Sequence, residues 1–334
     1  NFQQAVNTCL STNPVDGMCS ESVYGAMPSW DVSAVTDMSD AFRNKFDFNG
    51  DIKDWNVSNV TNMYRMFQDV SSFNQDIGDW VVSKVTNMSG MFQDATSFNQ
   101  DIGGWNVSNV TNMSKIFMDA KDFNQDIGNW IVSDVIQMDQ MFKNAVSFNQ
   151  DIGNWNTTKV TNMGGMFRDA TSFNQDVSKW DVSMVTNMQF MFDSSDLSSD
   201  NYDKLLTAWS QLTLKQAVVF TLGAVTYCNA AEAREKMITT HLWAITDGGL
   251  DCSNLGNEDE YLSNISIYPN PTRDKLFIQG LSTSSKVLIY NVLGKLVLSE
   301  TTSSEVDLEG LQSGVYIVKI IDQQKETTHK FIMN

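Results

Sequence analysis

Trp30, Trp55, Trp80, Trp105, Trp130, Trp155 and Trp180 follow one another at intervals of 25 residues without exception. A fixed period of this length marks a repeat architecture, in which each repeat is one supersecondary unit that buries its apolar face against its neighbours. No repeat has gained or lost a residue. The chain is therefore expected to contain a solenoid.

The copy that starts at Trp80 shows the pattern within a repeat. Its apolar residues are Trp80, Val82, Val85, Met88, Met91, Phe92, Ala95, Phe98 and Ile102. Trp-x-Val has the period of two of a short strand with both side chains inward. Met88, Met91 and Phe92 have helical spacing, which predicts a helical turn across the repeat from that strand. Phe98 to Ile102 return the chain to the next copy. The fold class expected is an α+β repeat solenoid, with short parallel strands and helical turns, followed by a small all-β sandwich.

The flanks differ in composition. Residues 1–29 read as an N-terminal cap, because Phe2, Val6 and Leu10 make a short amphipathic helix and Asp16-Gly17 marks a turn. The solenoid is assigned to 30–196 and a C-terminal cap to 197–252. In that cap Tyr202, Leu205, Leu206 and Trp209 predict one helix, and Asn229 to His241 a second. Ala217–Phe220 and Trp243–Thr246 predict strands. Residues 253–264 are polar and acidic, as in a linker. Residues 265–334 alternate in short runs separated by turns at Leu293-Gly294-Lys295 and Gln312-Ser313-Gly314, the pattern of an immunoglobulin-like sandwich.

The net charge of −18 comes wholly from the first 264 residues, since 265–334 hold seven basic and seven acidic side chains. An acidic body of this kind repels nucleic acid, which excludes that partner class. No apolar run reaches the length of a membrane span. The chain opens without a basic-then-apolar leader and without Met, which reads as a mature, trimmed form. Four cysteines flank the repeats as Cys9 with Cys19 and Cys228 with Cys252. That placement predicts a disulfide in each cap of an exported protein. Structural zinc is disfavoured, because the spacing is unlike CxxC and only His241 and His329 are at hand.

The phrase W-x-V-S-x-V-T-x-M-x-x-M-F-x-x-A-x-x-F-N-Q-D-I, over residues 30–192, resembles the BspA-type leucine-rich repeat of bacterial surface proteins. Ile136, Thr157-Thr158 and Ile116 are local departures from it. The resemblance implies a strand, a turn and a short helix per repeat, with the strands lining one face. A second resemblance rests on Tyr268-Pro269-Asn270-Pro271, on Ile289 to Lys295, and on Leu311 to Lys319. These are similar to the type A sorting domain of the type IX secretion system. That likeness implies recognition of Pro269, Asn270, Pro271, Gly294, Lys295, Gly314, Tyr316 and Lys330 by the secretion translocon and its outer-membrane shuttle and sortase components. It also implies passage through the periplasm to the surface of a Bacteroidota-type cell.

Candidate chemistry is sparse. Asn74, Asn99, Asn124, Asn149 and Asn174 recur with Asp76, Asp101, Asp126, Asp151 and Asp176. Such stacked oxygens suit Ca²⁺, but Asn and Asp at a corner more often bond to backbone and hold the turn. No cofactor is expected. Two histidines in different domains offer no catalytic triad or zinc motif, so no catalytic residue is assigned and no enzyme is expected. With Trp and the second residue inward, the residue after each Trp faces out: Asp31, Asn56, Val81, Asn106, Ile131, Asn156 and Asp181. Val81 and Ile131 are apolar residues in an otherwise polar row, as on a contact surface. The preferred reading is an adhesion or ligand-binding array for an extracellular protein or glycan. A self-assembling coat and an accessory part of a secreted enzyme are the alternatives.

Overall fold

The computed structural model describes residues 2–252, 265–281, 284–292, 294–322 and 325–334. It divides into two units, Asn1–Asp251 and Cys252–Asn334. The expected acidic linker, 253–264, lies outside the described residues.

In the first unit the sequence period reappears in the backbone hydrogen bonds. The N–H groups of Met88, Gly90, Phe92 and Asp94 donate to the carbonyls of Asn112, Ser114, Ile116 and Met118, at 2.8–3.0 Å. Each donor is thus bound to the following repeat. A row of isolated parallel bridges runs from Asp37 through Asn62, Asn87, Asn112, Gln137 and Asn162 to Asn187. Between these links the chain closes on itself in tight turns: Met91, Gln93 and Ala95 donate to Met88, Gly90 and Phe92, each at 3.1 Å.

Two details depart from the sequence-based expectation. Met88 to Phe92 do not form a helical turn. Gly90 and Asp94 have φ of 64° and 58°, and the tenth and fourteenth residues after every Trp are likewise left-handed. A turn with φ > 0 at its third residue satisfies that geometry, whereas a helix needs right-handed residues throughout. The N–H groups freed from helical bonding are the ones that reach the next repeat. Nor does Trp-x-Val form a strand. Val85 N–H donates to Val82 O at 2.9 Å, and this turn bends the chain there. Pairing shrinks to one bridge residue per repeat, seven positions after the Trp.

The inward pattern holds. Trp105, Val107, Val110, Met113, Phe117, Ala120, Phe123 and Ile127 are all buried, in one core that extends from Val6 to Trp243. Phe117 and Phe123 stack within a repeat at 3.8 Å between centroids, and Phe117 stacks on Phe92 and Phe142 at 5.8 and 5.7 Å. Such pairs add about 0.5–1.5 kcal/mol each beyond their burial. A buried indole needs an acceptor for its N–H, and the tryptophans from Trp55 to Trp180 each find one 28 residues earlier. Trp105 Nε1 donates to Ile77 O at 3.1 Å and Trp130 Nε1 to Ile102 O at 3.1 Å. Glycine enters where repeats meet most closely: a Cβ on Gly78 would sit 2.6 Å from Asp101 O.

Both ends carry their own elements. Helix α1 (Phe2–Leu10) buries Ala5, Val6, Cys9 and Leu10, and the Cys9–Cys19 disulfide joins it to the loop that follows, with Cα atoms 5.3 Å apart. Cys228 and Cys252 are also disulfide-bonded, and no free cysteine remains. Helix α2 (Ser199–Trp209) is capped by the Ser198 side chain and buries Tyr202, Leu205, Leu206 and Trp209. Strand β1 (Val219–Thr221) pairs in parallel with β2 (Ala244–Thr246), and α3 (Ala231–His241) joins them. Asp203 of α2 is buried and accepts from the N–H groups of Cys228, Asn229 and Ala230. Its charge therefore sits at the N-terminus of α3, where the helix dipole favours it. Asp247, whose side chain is 2% exposed, holds Arg234 at 2.7 Å and accepts from Tyr202 Oη at 2.8 Å. Burial and the Asp247 charge raise the Tyr202 hydroxyl far above its ordinary pKa.

The second unit has a three-stranded sheet of β3 (Ser266–Tyr268), β4 (Lys275–Gln279) and β7 (Glu305–Asp307). Its four-stranded sheet runs β6 (Leu296–Thr302), β5 (Ser285–Asn291), β8 (Gly314–Asp322) and β9 (Lys325–Met333). Leu276, Ile278 and Val306 from the first share one core with Val287, Ile289, Val318 and Phe331 from the second.

Phe117 is central to the aromatic stacking, so Phe117→Ala should destabilise the first unit by about 3–5 kcal/mol. Urea denaturation followed by tryptophan fluorescence measures this; a loss under 1 kcal/mol would show that the stack is not structural.

Candidate ligand-facing row and sorting motifs

The row after each Trp faces solvent, as its alternation with buried Trp and Val requires. Asp31, Asn56, Val81, Asn106, Ile131 and Asn156 are exposed, and Asp181 is half-buried. Its polar members are engaged with their own backbone. Asn106 Oδ1 accepts from Ser108 N–H at 3.1 Å, and Asn56, Asn156, Asp31 and Asp181 make the same bond two residues on. This is the Asx turn that these side chains favour. Bonds from the Ser33 hydroxyl and N–H hold the Asp31 carboxyl below the usual carboxylate range. Val81 and Ile131 make no such turn, and they are 56% and 61% exposed.

The Asn ladder is a continuous chain of hydrogen bonds. Asn74 Oδ1 accepts from Asn99 N–H and from Gln100 Nε2, both at 2.9 Å. Asn99, Asn124 and Asn149 repeat the pair of bonds with the next repeat. At the last rung Asn174 Oδ1 receives Ser198 N–H and Asn201 Nδ2 instead, each at 2.9 Å. The companion aspartates make local turns: Asp76, Asp101, Asp126 and Asp151 accept from Gly78, Gly103, Gly128 and Gly153, and Asp176 accepts from Ser178. Burial pushes the Asp176 carboxyl up, but the Ser178 bonds and the nearby Lys204 and Lys179 draw it below its ordinary value overall. Among the described residues no group of three or more His, Cys, Asp or Glu is placed to hold a metal.

Several motifs of the second unit meet at β9. Asn270 Nδ2 donates to Lys330 O at 3.1 Å, while Asn270 Oδ1 accepts from Ile332 N–H at 3.0 Å. Thr272 N–H donates to Ile332 O, and Asn334 N–H returns to Thr272 O. The segment containing Pro269, Asn270 and Pro271 therefore clasps the end of the chain. Gly294 takes φ 76° in the β5–β6 turn, where Lys295 N–H bonds Asn291 Oδ1 at 3.0 Å. Gly314 opens β8 opposite Met333. Tyr316 stacks on Phe331 at 5.6 Å, and its hydroxyl donates to Gln312 O. Lys330 is exposed.

The family model described as "Mycoplasma protein of unknown function, DUF285" matches residues 15–117 and 98–209, together more than half of the 334 residues. The chain belongs to the DUF285 family. Residues 266–334 match a second model, the secretion system C-terminal sorting domain. This DUF285 chain is thus a BspA-like surface repeat protein with a type IX sorting tail, which implies export to the cell surface or the extracellular space as secretion cargo. Among the described residues no helix is long and apolar enough to cross a membrane. No curated protein matches the chain. Among solved structures, 22% of the chain is similar, at 28% identity and a TM-score of 0.21, to PorZ of Porphyromonas gingivalis, described as an essential bacterial surface component of the type-IX secretion system. The similar region spans 12% of PorZ.

Sequence reasoning missed Asp203 and the Tyr202–Arg234–Asp247 cluster. Neither has a periodic counterpart in the repeats, and the only signal was a carboxylate, Asp203, placed among the apolar positions of α2.

With the ladder oxygens already bonded, millimolar Ca²⁺ followed by chelator should leave the melting temperature unchanged, whereas Asn124→Ala should cost about 1 kcal/mol. Differential scanning calorimetry tests both, and a calcium-dependent rise would mark a cation site.

Proposed function

We propose that the repeat region is a non-catalytic adhesion or ligand-binding array, carried to the surface of a Bacteroidota-type bacterium by its sorting tail. The observation that carries this reading is the row at Asp31–Asp181, exposed from Asp31 to Asn156 and interrupted by the bare apolar side chains of Val81 and Ile131. Exposed apolar groups within a polar row are the usual composition of a contact surface. The bonds offset by one repeat further support winding of the 25-residue units as a leucine-rich-repeat-like solenoid, and the two sheets of the tail support an immunoglobulin-like sandwich. The sorting motifs around Asn270 and Lys330 are the surface offered to the translocon, shuttle and sortase.

The following measurements test this. Removal of residues 265–334 should strand the protein in the periplasm; surface display of the shortened form would refute the cargo role. The full chain should stay monomeric in light scattering and bind an extracellular protein or glycan in an array screen, whereas concentration-dependent polymers would favour a coat. Val81→Asp with Ile131→Asp should weaken contact with a ligand that uses this row at least tenfold, without lowering the melting temperature. Turnover of polysaccharide or peptide libraries would refute the non-catalytic reading.

A further inference from the structure

The face formed by the tight turns carries a second irregularity. Ten residues after each Trp stand Asp40, Arg65, Gly90, Lys115, Gln140, Gly165 and Phe190, all with φ between 53° and 64°. Five non-glycine side chains adopt this conformation, so the backbone does not demand glycine at 90. The effect of Gly90 is to remove a side chain between Arg65 and Lys115. A cavity of about 330 Å³ opens at that place, lined by Arg65, Gln68, Ser89, Gln93, Ser114 and Lys115 among others. A Cβ on Gly90 would lie 3.3 Å from Arg65 Cγ and 3.5 Å from Gln93 Oε1, so any side chain there would intrude on the cavity.

Three features of the lining point to a ligand. Arg65 and Lys115 line the cavity without a carboxylate partner: neither is in an ion pair among the described residues, a state they share with Lys45, Lys84, Lys121, Lys143 and Lys179 of the repeats, though only these two meet at one cavity. Arg65 is instead held over the Tyr64 ring at 4.3 Å, an arrangement that fixes a guanidinium without neutralising it. The one acidic residue of the lining, Asp139, is engaged by the Ser114 hydroxyl at 2.6 Å. Gln68 Oε1 is buried without a hydrogen-bond partner, and an acceptor left in that state costs free energy until a donor arrives. The remaining groups are hydroxyls and amides.

We infer that this cavity is a subsite for an acidic saccharide, a sugar unit bearing sulfate or carboxylate. Two cations two repeats apart span about 10 Å at ~4.8 Å per rung, enough for a disaccharide. Ser89, Gln93 and the unpartnered Gln68 oxygen supply the bonds that sugar hydroxyls require, and the cavity volume falls in the range of ligand sites. The acidic body repels a polyanion everywhere else, so attachment is confined to this gap and weakens with salt. This inference deepens the ligand-binding reading and rests on it.

Titration calorimetry of the full chain tests it, with a heparin-derived hexasaccharide, an oligouronate, neutral laminarihexaose and a polyglutamate peptide as probes. The sulfated or uronate probe should bind one to one, at least tenfold more tightly than the neutral sugar, and should lose affinity as salt rises. Arg65→Gln with Lys115→Gln should reduce that affinity at least tenfold. Gly90→Asn, which keeps the left-handed backbone and fills the cavity, should do the same at an unchanged melting temperature. Equal binding by the Arg65 and Lys115 variant, equal affinity for the neutral sugar, or tighter binding of polyglutamate would overturn the inference. If neither acidic sugar binds while another ligand does so through Val81 and Ile131, the subsite falls and the broader reading stands.

Discussion

The structure depends on peptide N–H groups that find their acceptors in the next repeat. A buried or half-buried N–H must be paired, and in an ordinary helix the partner is four residues away. Here Gly90 and Asp94 are left-handed, which removes that local option, and Met88, Gly90, Phe92 and Asp94 bond to Asn112, Ser114, Ile116 and Met118 instead. The register of four consecutive donors against four acceptors tolerates no insertion in between. The unbroken 25-residue period, the indole N–H groups of Trp80 to Trp180 on the carbonyls of preceding isoleucines, and the stacked phenylalanines all follow from this single offset.

The same constraint sorts the polar side chains. Asn and Asp, which could have been read as a ligand-binding array, are largely used inside the scaffold. Each ladder oxygen takes two donors from the following repeat, and each corner aspartate takes a backbone N–H two residues on. Periodicity in a polar residue is here a sign of structural duty. The side chains outside that duty include several that break the period, among them Val81 and Ile131 on one row, and Arg65 and Lys115 around Gly90 on another.

The architecture was legible where it rests on burial. Trp, Val, Met, Phe and Ile at their fixed places become one core, and α1, α2 and α3 appear within a residue or two of the positions their apolar spacing suggests. What remained hidden was backbone conformation. Met88, Met91 and Phe92 have helical spacing, yet residues of every kind, from Arg65 to Phe190, hold φ > 0 two positions before or after the first inward phenylalanine of the repeat. Side-chain identity gives little warning of a left-handed residue unless it is Gly, Asn or Asp. The site shows the same split. Exposure of the row after each Trp followed from alternation alone, but the cavity beside Gly90 arises between four successive repeats, at a distance in sequence that no local pattern spans.

One junction sets how such a protein can vary. Ser198 and Asn201 present to Asn174 the same two donors that an Asn and a Gln present on every earlier rung. The terminal helix is therefore a plug that fits any rung. Duplication or loss of a whole 25-residue unit by recombination between near-identical stretches of gene leaves that socket unaltered, so the array can lengthen or shorten in a single generation without a new way of ending it.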